Sequence, residues 1–284
     1  MRILVTGANG QLGRAVVAEA GRRGADAIAC GHAELPVEDA DRVRQVVALA
    51  RPDLVVHCAA WTDVDGCERD PERADRINGH GTAYVAEACR AVDAALCHVS
   101  TDYVFDGAGE RPYRPADPTG PRSAYGRSKL LGERAVLRDA ADRRFYVVRT
   151  SWVFGPGGRN FPAAILARAR SGQPLRVVDD QRGSPTMTLD LAAALLDLAA
   201  AGATAGIYHA CNEGVVSWHG FAVEILRQAG IDVEVGTMQS AALDRPAARP
   251  AWSALDCQEL TAIRGRPLPP WQDALARYLA EEST

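Results

Sequence analysis

The 284-residue chain has almost no lysine: of its 32 Lys and Arg residues, only Lys129 is lysine. Such a skew fits a GC-rich coding sequence, in which surface lysines drift to arginine at little physical cost. A lysine that survives the drift points to a task that arginine cannot perform. Basic charge is not in excess either. The 32 basic residues face 36 acidic ones, for a net charge of −4, so there is no electrostatic footprint for a phosphate backbone and no nucleic-acid partner is expected. The seven cysteines (30, 58, 67, 89, 97, 211 and 257) include no C-x-x-C pair, which argues against a disulfide frame or a zinc site and for reduced thiols. No uncharged apolar run reaches about 18 residues; even the Ala/Leu-rich stretch 191–201 carries Asp197. No membrane span is therefore expected. Met1–Val5 leads straight into a strand-like run without a long apolar leader or cleavage signature, so the expected location is cytoplasmic. The six histidines (32, 57, 80, 98, 209 and 219) show no H-x-x-x-H spacing, so no metal site is expected. A G-x-S-x-G elbow, the mark of a serine hydrolase, is also missing.

What is present is an ordinary globular composition, 47% hydrophobic and 24% charged, enough for a sizeable core. At about 150 residues per domain the length suggests one large domain or two closely joined ones. Strand-like runs at Ile3–Thr6, Ala27–Cys30, Leu54–Cys58, Leu96–Ser100 and Tyr146–Arg149 alternate with helix-patterned stretches at Gln11–Arg23, Ala40–Ala50, Ala74–Val92 and Ala124–Asp139. That alternation predicts right-handed βαβ units: an α/β, Rossmann-type doubly wound parallel sheet covered on both faces. Past Thr150 the pattern loosens, with helices expected at 160–171, 189–201, 217–229 and 271–281. The expected division is a dinucleotide-binding domain over 1–150 and a smaller α/β substrate domain over 151–284, with segments of the latter free to return to the first.

Gly7-Ala8-Asn9-Gly10-Gln11-Leu12-Gly13 follows the first strand and opens the first helix. Glycines at Gly7, Gly10 and Gly13 permit a tight turn and let the backbone approach a pyrophosphate at a helix N-terminus. The end of the second strand reads Cys30-Gly31-His32, without the acid that would grip the ribose of NAD. Space is left there for a 2′-phosphate beside His32, so NADPH is the expected cofactor and NADH the alternative. Tyr125 and Lys129 stand at i and i+4, one above the other on a helix face. A phenol titrates near 10 and needs tuning to work near neutrality, and a neighbouring ammonium is expected to lower its pKa. Arginine keeps the charge, but its planar fork cannot act as a compact point charge beneath a ribose. The same spacing also occurs on ordinary solvated helices; here the chain's one lysine falls on it. Thr101, at the end of the fourth strand, lies where open α/β sheets bind ligands and could hydrogen-bond a carbonyl oxygen.

These pieces, TGANGQLG (6–13), RPDLVVHCAAWTDVD (51–65), STDYVFDG (100–107), YGRSK (125–129), RTSWVFG (149–155), NF (160–161), DQRGSPT (180–186) and GIYH (206–209), resemble the extended short-chain dehydrogenase/reductases. Within them the chain is similar to the dTDP-4-dehydrorhamnose reductase family over nearly its whole length. The resemblance implies NADPH-dependent reduction of the C4 ketone of a nucleotide-linked 6-deoxy-4-ketohexose, and a nucleotide-sugar partner. By position it assigns Thr101, Tyr125 and Lys129 to catalysis, with Tyr125 as proton donor. Gly10, Gln11 and Leu12 would contact the pyrophosphate, and Ala59, Ala60 and Thr62 the nicotinamide side. Asp102, Trp152, Asn160, Arg182 and Thr186 would contact substrate, beside Thr101. Two departures stand out. Pro36 replaces the family's Asp at the adenine position, leaving Val37 as the apolar contact. Ala15 stands where some members carry a glutamate for a magnesium-bridged dimer, so no such bridge is expected, and a monomer or a homodimer remains open.

Four alternatives share parts of this pattern. A nucleotide-sugar 4,6-dehydratase would need Asp-Glu after the threonine, and the chain has Asp102-Tyr103. The 4-epimerases resembling it lack the TSWV and DQ-x-G-x-PT segments. A regulatory subunit like that of methionine adenosyltransferase, or a reductase of another 4-keto-6-deoxy sugar, would retain most of these motifs.

Overall fold

The structure, a computed structural model, describes residues 1–140 and 143–282. Its first half runs β1 (Arg2–Thr6), α1 (Gln11–Arg22), β2 (Asp26–Cys30), α2 (Ala40–Ala50), β3 (Leu54–His57), α3 (Val64–Arg69), α4 (Pro71–Ala74), a π-helical segment Asp75–His80, α5 (Gly81–Val92), β4 (Ala95–Thr101), α6 (Ala124–Leu137) and β5 (Phe145–Thr150). Then come β6 (Val153–Phe154), α7 (Phe161–Arg170), β7 (Leu175–Val178), β8 (Arg182–Gly183), β9 (Thr186–Met187), α8 (Thr188–Ala200), β10 (Gly206–His209), β11 (Val216–Ser217), α9 (Trp218–Gln228), β12 (Val235–Met238), α10 (Gln258–Arg264) and α11 (Trp271–Glu282). The main sheet has six strands in the order β10-β5-β4-β3-β1-β2, every neighbouring pair parallel. The expected doubly wound parallel sheet is what the chain forms.

Alternation along the strands decides which helices cover which face. Ile3 and Val5 of β1, with Leu54 and Val56 of β3, pack under α1 and α8. Leu4 and Val55, one residue out of phase, point to the opposite layer of α2, α5 and α6. Both sets are fully or nearly fully buried, as parallel strands covered on both faces require. The α8 helix packs on α1, and β10 extends the sheet beside β5, so these late segments belong to the sheet's own layers. A separate apolar cluster joins α7, α9 and α11 through Ile165, Leu166, Phe221, Ile225, Leu275 and Tyr278.

The helix expected over 74–92 is interrupted. Residues 75–80 are π-helical before α5 resumes, and the physical cause lies in the packing. A Cβ on Gly132 of α6 would stand 2.5 Å from Asn78 O, and one on Gly79 would stand 2.4 Å from the Leu131 side chain. The two helices approach too closely at this point for ordinary side chains. Asn78 then turns its amide to the loop after β3: Trp61 N donates to its Oδ1 (2.8 Å) and its Nδ2 donates to Trp61 O (3.0 Å).

Candidate active site

The strand order reverses between β1 and β3, and a cleft of about 750 Å³ opens there at the carboxyl ends of the strands. Ligands of open α/β sheets bind at such a switch point. Its floor is the β1–α1 turn. Gly7 adopts φ +63°, and a Cβ there would lie 2.7 Å from the Ala59 backbone, so both conformation and space demand glycine. A Cβ on Gly13 would meet Gly7 O at 2.3 Å, which lets the first turn of α1 close down on the loop. Gly10 is the N-cap of α1 and has no side chain to satisfy the helix's first amides. Those amides, with the positive end of the helix dipole, face the cleft as a site for an anion. The turn thus has the shape and polarity to hold a dinucleotide pyrophosphate.

At the outer end, Val37 and His32 line the cleft, and His32 is exposed beside Glu38 at 3.7 Å. The strand end itself carries no acid, but Glu34 folds back so that its carboxylate accepts a hydrogen bond from Gly31 N at 2.9 Å. The motif reading missed this carboxylate because it arrives from beyond the strand end. Ala59, Ala60 and Thr62 form the wall after β3. Trp61 lies among them, held by Asn78 and covered by the Arg73 guanidinium 4.6 Å from its ring centre.

The opposite wall is α6. Ser123 caps it, its Oγ accepting from Gly126 N at 3.1 Å, and a Cβ on Gly126 would strike Tyr103 O at 2.2 Å. That glycine lets α6 dock against the turn after β4, bringing Tyr125, Lys129, Thr101 and Asp102 to one surface. Lys129 is 2% exposed; its Nζ donates to Val99 O at 2.7 Å and lies 3.4 Å from His98 Nε2. Burial lowers its pKa to about 8, with the negative charge of Glu133 working the other way. His98 and His57 are stacked with ring centres 5.2 Å apart. Both are kept neutral by burial and then by the Lys129 charge. The Thr101 hydroxyl donates to Asp102 Oδ1 at 2.9 Å. Burial raises the Asp102 carboxyl to about 6.

Tyr125 departs from expectation. Its phenol is raised, not lowered: burial is the main cause and the Asp102 charge the next, while a hydrogen bond with Thr101 opposes them.

Trp152 closes the cleft on its far side, together with Trp218 of α9. Three further residues expected at the substrate lie outside the lining. Asn160 caps α7, its Oδ1 accepting from Ala163 N at 2.9 Å, and its amide donates to Gly155 O at 2.8 Å. Thr186 is fully buried and donates to Ser184 O. Arg182 is exposed on β8, its backbone paired with Ser217. Gln11 lines the cleft, yet its amide donates to Arg159 O at 2.9 Å and so fastens α1 to the turn before α7.

A second buried cluster stands behind this surface. Glu133, one turn past Lys129, takes a bidentate pair from Arg149 (2.9 and 2.7 Å) and a hydrogen bond from Ser100 Oγ (2.5 Å). Both side chains of the ion pair are 2% exposed. It ties α6 to the strand residue before Thr101 and to the strand that leads to Trp152.

Comparison with known proteins agrees with this architecture. The family described as RmlD substrate binding domain matches residues 1–284. A dTDP-4-dehydrorhamnose reductase of Streptomyces griseus is 48% identical over 279 residues, covering 96% of this chain and 91% of the relative. The crystal structure of a dTDP-4-dehydrorhamnose reductase from Clostridium acetobutylicum superposes with a TM-score of 0.95 at 36% identity, covering 100% of both chains. One from Bacillus anthracis, solved in complex with NADP, gives 0.93 at 34% identity over 99% of each chain.

Proposed function

The chain belongs to the dTDP-4-dehydrorhamnose reductase family and is an NAD(P)H-dependent oxidoreductase; from that premise we propose that it reduces the C4 ketone of dTDP-4-dehydro-L-rhamnose to give dTDP-L-rhamnose, with NADPH as donor. The observation that carries this reading is the joining, in one cleft, of an uncapped helix N-terminus behind a glycine turn with Tyr125, Lys129, Thr101 and Trp152. Gly7, Gly10, Gln11, Leu12 and Gly13 would hold the pyrophosphate through backbone amides, with His32 and Val37 at the adenosine end and Ala59, Ala60 and Thr62 along the nicotinamide side. When bound, the cofactor supplies hydride. All other chemistry is assigned to this chain's own groups.

Tyr125 donates the proton that the forming alkoxide requires. Its raised pKa suits that direction of reaction, since a phenol that stays protonated at neutral pH has its proton ready. Thr101 lies next to it and polarises the carbonyl oxygen. Lys129 places a positive charge in a buried wall, where it acts on a ribose hydroxyl and on the developing phenolate far more strongly than in water. Asp102 and Trp152 bound the sugar, and the α7–α9–α11 unit supplies the rest of the nucleotide-sugar site. Among the described residues no helix is long and apolar enough to cross a membrane, and we place the reaction in the cytoplasm.

The test is to mix purified protein with dTDP-4-dehydro-β-L-rhamnose and either NADPH or NADH, following the loss of reduced-nicotinamide absorbance. Wild type should oxidise NADPH rapidly, and Tyr125→Phe should lose about 10²–10⁴-fold in kcat. Lys129→Arg should be similarly impaired. Binding of NADPH without turnover would remove the rhamnose assignment and move the function to another 4-keto-6-deoxy sugar or to a binding role.

A further inference from the structure

Trp152 has φ +48°. A large side chain in the left-handed region is a backbone outlier that persists only where its surroundings impose it. Arg51, Asp93 and Asp139 share the conformation, but the first two are helix C-caps and the third lies in the turn just past the end of α6. Trp152 is in no cap. Two segments distant in sequence hold it, and a third braces them. Trp218 lies flat on it, ring centres 3.5 Å apart and planes 7° from parallel. Phe161 braces Trp218 in turn at 4.6 Å. Gly183 supplies the remaining space: a Cβ there would stand 2.6 Å from Trp152 Cε2.

The backbone on each side of the indole is fixed by the same stretch of chain. Thr186 N donates to Trp152 O at 3.2 Å, and Ser151 Oγ donates to Ser184 O at 2.8 Å. The Gly183 and Arg182 positions pair with Val216 and Ser217, the two residues before Trp218. The segment 182–186, which motif reading connects with substrate contact through Arg182 and Thr186, thus grips residues 151–153 through its backbone and its one glycine. Both indoles line the cleft.

We propose that Trp218 is a specificity-determining residue: with Trp152, seated on the 182–186 segment, it forms a rigid two-indole wall against which the hexose of the nucleotide sugar packs. A pyranose offers apolar C–H groups on its ring faces, and indoles give large apolar contact with little side-chain entropy to lose. The strained backbone at Trp152 keeps the wall in one position before the sugar arrives, which is where preorganisation gains affinity. This inference rests on the proposed nucleotide-sugar substrate.

The experiment uses full-length protein loaded with NADP. The dissociation constant of dTDP-L-rhamnose is measured by calorimetry for wild type, Trp218→Leu and Trp218→Phe, with KM and kcat for the keto sugar and the dissociation constant of NADPH. Indole N–H spectra report the stack directly, since the chain has five tryptophans and Trp152 should carry the ring-current shift of its partner. Trp218→Leu should weaken sugar-nucleotide binding and raise KM about tenfold, and Trp218→Phe about threefold, with NADPH affinity within twofold of wild type and the Trp152 resonance moved in both. The proposal is overturned if the Trp152 resonance moves while sugar affinity stays within twofold. It is also overturned if NADPH affinity falls in step with it, which would be general damage to the fold. Should Trp218→Leu not fold, Trp218→Phe decides by the same criteria. Failure of wild type to bind dTDP-L-rhamnose at all would instead remove the proposed substrate and this inference with it.

Discussion

The two ends of the cleft are built by opposite means. At the β1–α1 turn, what matters is the absence of side chains. Gly7 and Gly13 leave room that a single methyl would fill, and the backbone itself makes the anion site. At the α6 wall, what matters is charge held out of water. Lys129, Glu133 and Arg149 are each about 2% exposed or less, and each is satisfied by named partners. The first design resists addition and the second resists removal. Substitutions should therefore fail at the two ends for different reasons.

The largest effect should come at the charged end. Glu133→Ala leaves the Arg149 guanidinium buried without its carboxylate and removes the acceptor of Ser100. Breaking a buried pair from one side costs about 3–5 kcal/mol, and urea denaturation should read a loss of that size. Replacing both partners by apolar residues of similar volume, Glu133→Leu with Arg149→Met, should recover most of it. If the single variant were as stable as wild type, the contrast between the ends would collapse, because the pair would be contributing nothing.

At the glycine end, Gly7→Ala should act on binding as well as on stability. The φ of +63° alone costs an alanine about 1 kcal/mol, and contact at 2.7 Å with the Ala59 backbone forces the turn away from β3. NADPH affinity should fall at least tenfold by fluorescence titration. Gly24→Ala makes the control, since it has a similar φ of +70° but nothing within 4 Å of an added Cβ. It should lose some stability and keep NADPH affinity. Equal loss of affinity in both variants would mean that general destabilisation by an alanine at positive φ, and not contact with the Ala59 backbone, lowers cofactor affinity.

How much of this was legible beforehand divides along the same line. The turn, the sheet and Tyr125–Lys129 are local in sequence, so strand periodicity, glycine spacing and an i,i+4 pair reveal them. Glu133 sits on the same helix yet gave no signal, because an acid on a helix face is ordinary until Arg149 and Ser100 arrive from two strands. Trp218 was missed for the same reason: its partner Trp152 is far away in the sequence, and only tertiary structure stacks them. The π-helical turn at 75–80 was hidden inside a good helical pattern, since it arises from the close approach of Gly79 and Gly132 to facing groups. Motif likeness gives Asn160 and Thr186 as substrate contacts, and in the structure Asn160 also caps α7 while Thr186 N donates to Trp152 O. A motif marks where a chain is constrained but does not say whether ligand or fold imposes the constraint.

The smallest effect is the most specific to this chain, because Lys129 is its only lysine. Protein labelled with ¹³C at lysine Cε should show one lysine side-chain signal, and its titration midpoint should lie near 8 against about 10.4 for a free side chain. Charged Lys129 is the form assigned to catalysis, so kcat/KM should fall about tenfold for each pH unit above that midpoint. Stability should respond in the opposite sense. Between about 8 and 10.4 the unfolded chain holds the proton that the folded one has lost. Its larger proton uptake means that this group's contribution to stability rises with pH through that window. An alkaline loss of activity accompanied by no loss of stability from this site assigns the loss to the ammonium and not to unfolding. A lysine signal that titrates near 10.4 while activity still falls above 8 would assign the alkaline limb to another group and return Lys129 to a purely structural place in the wall.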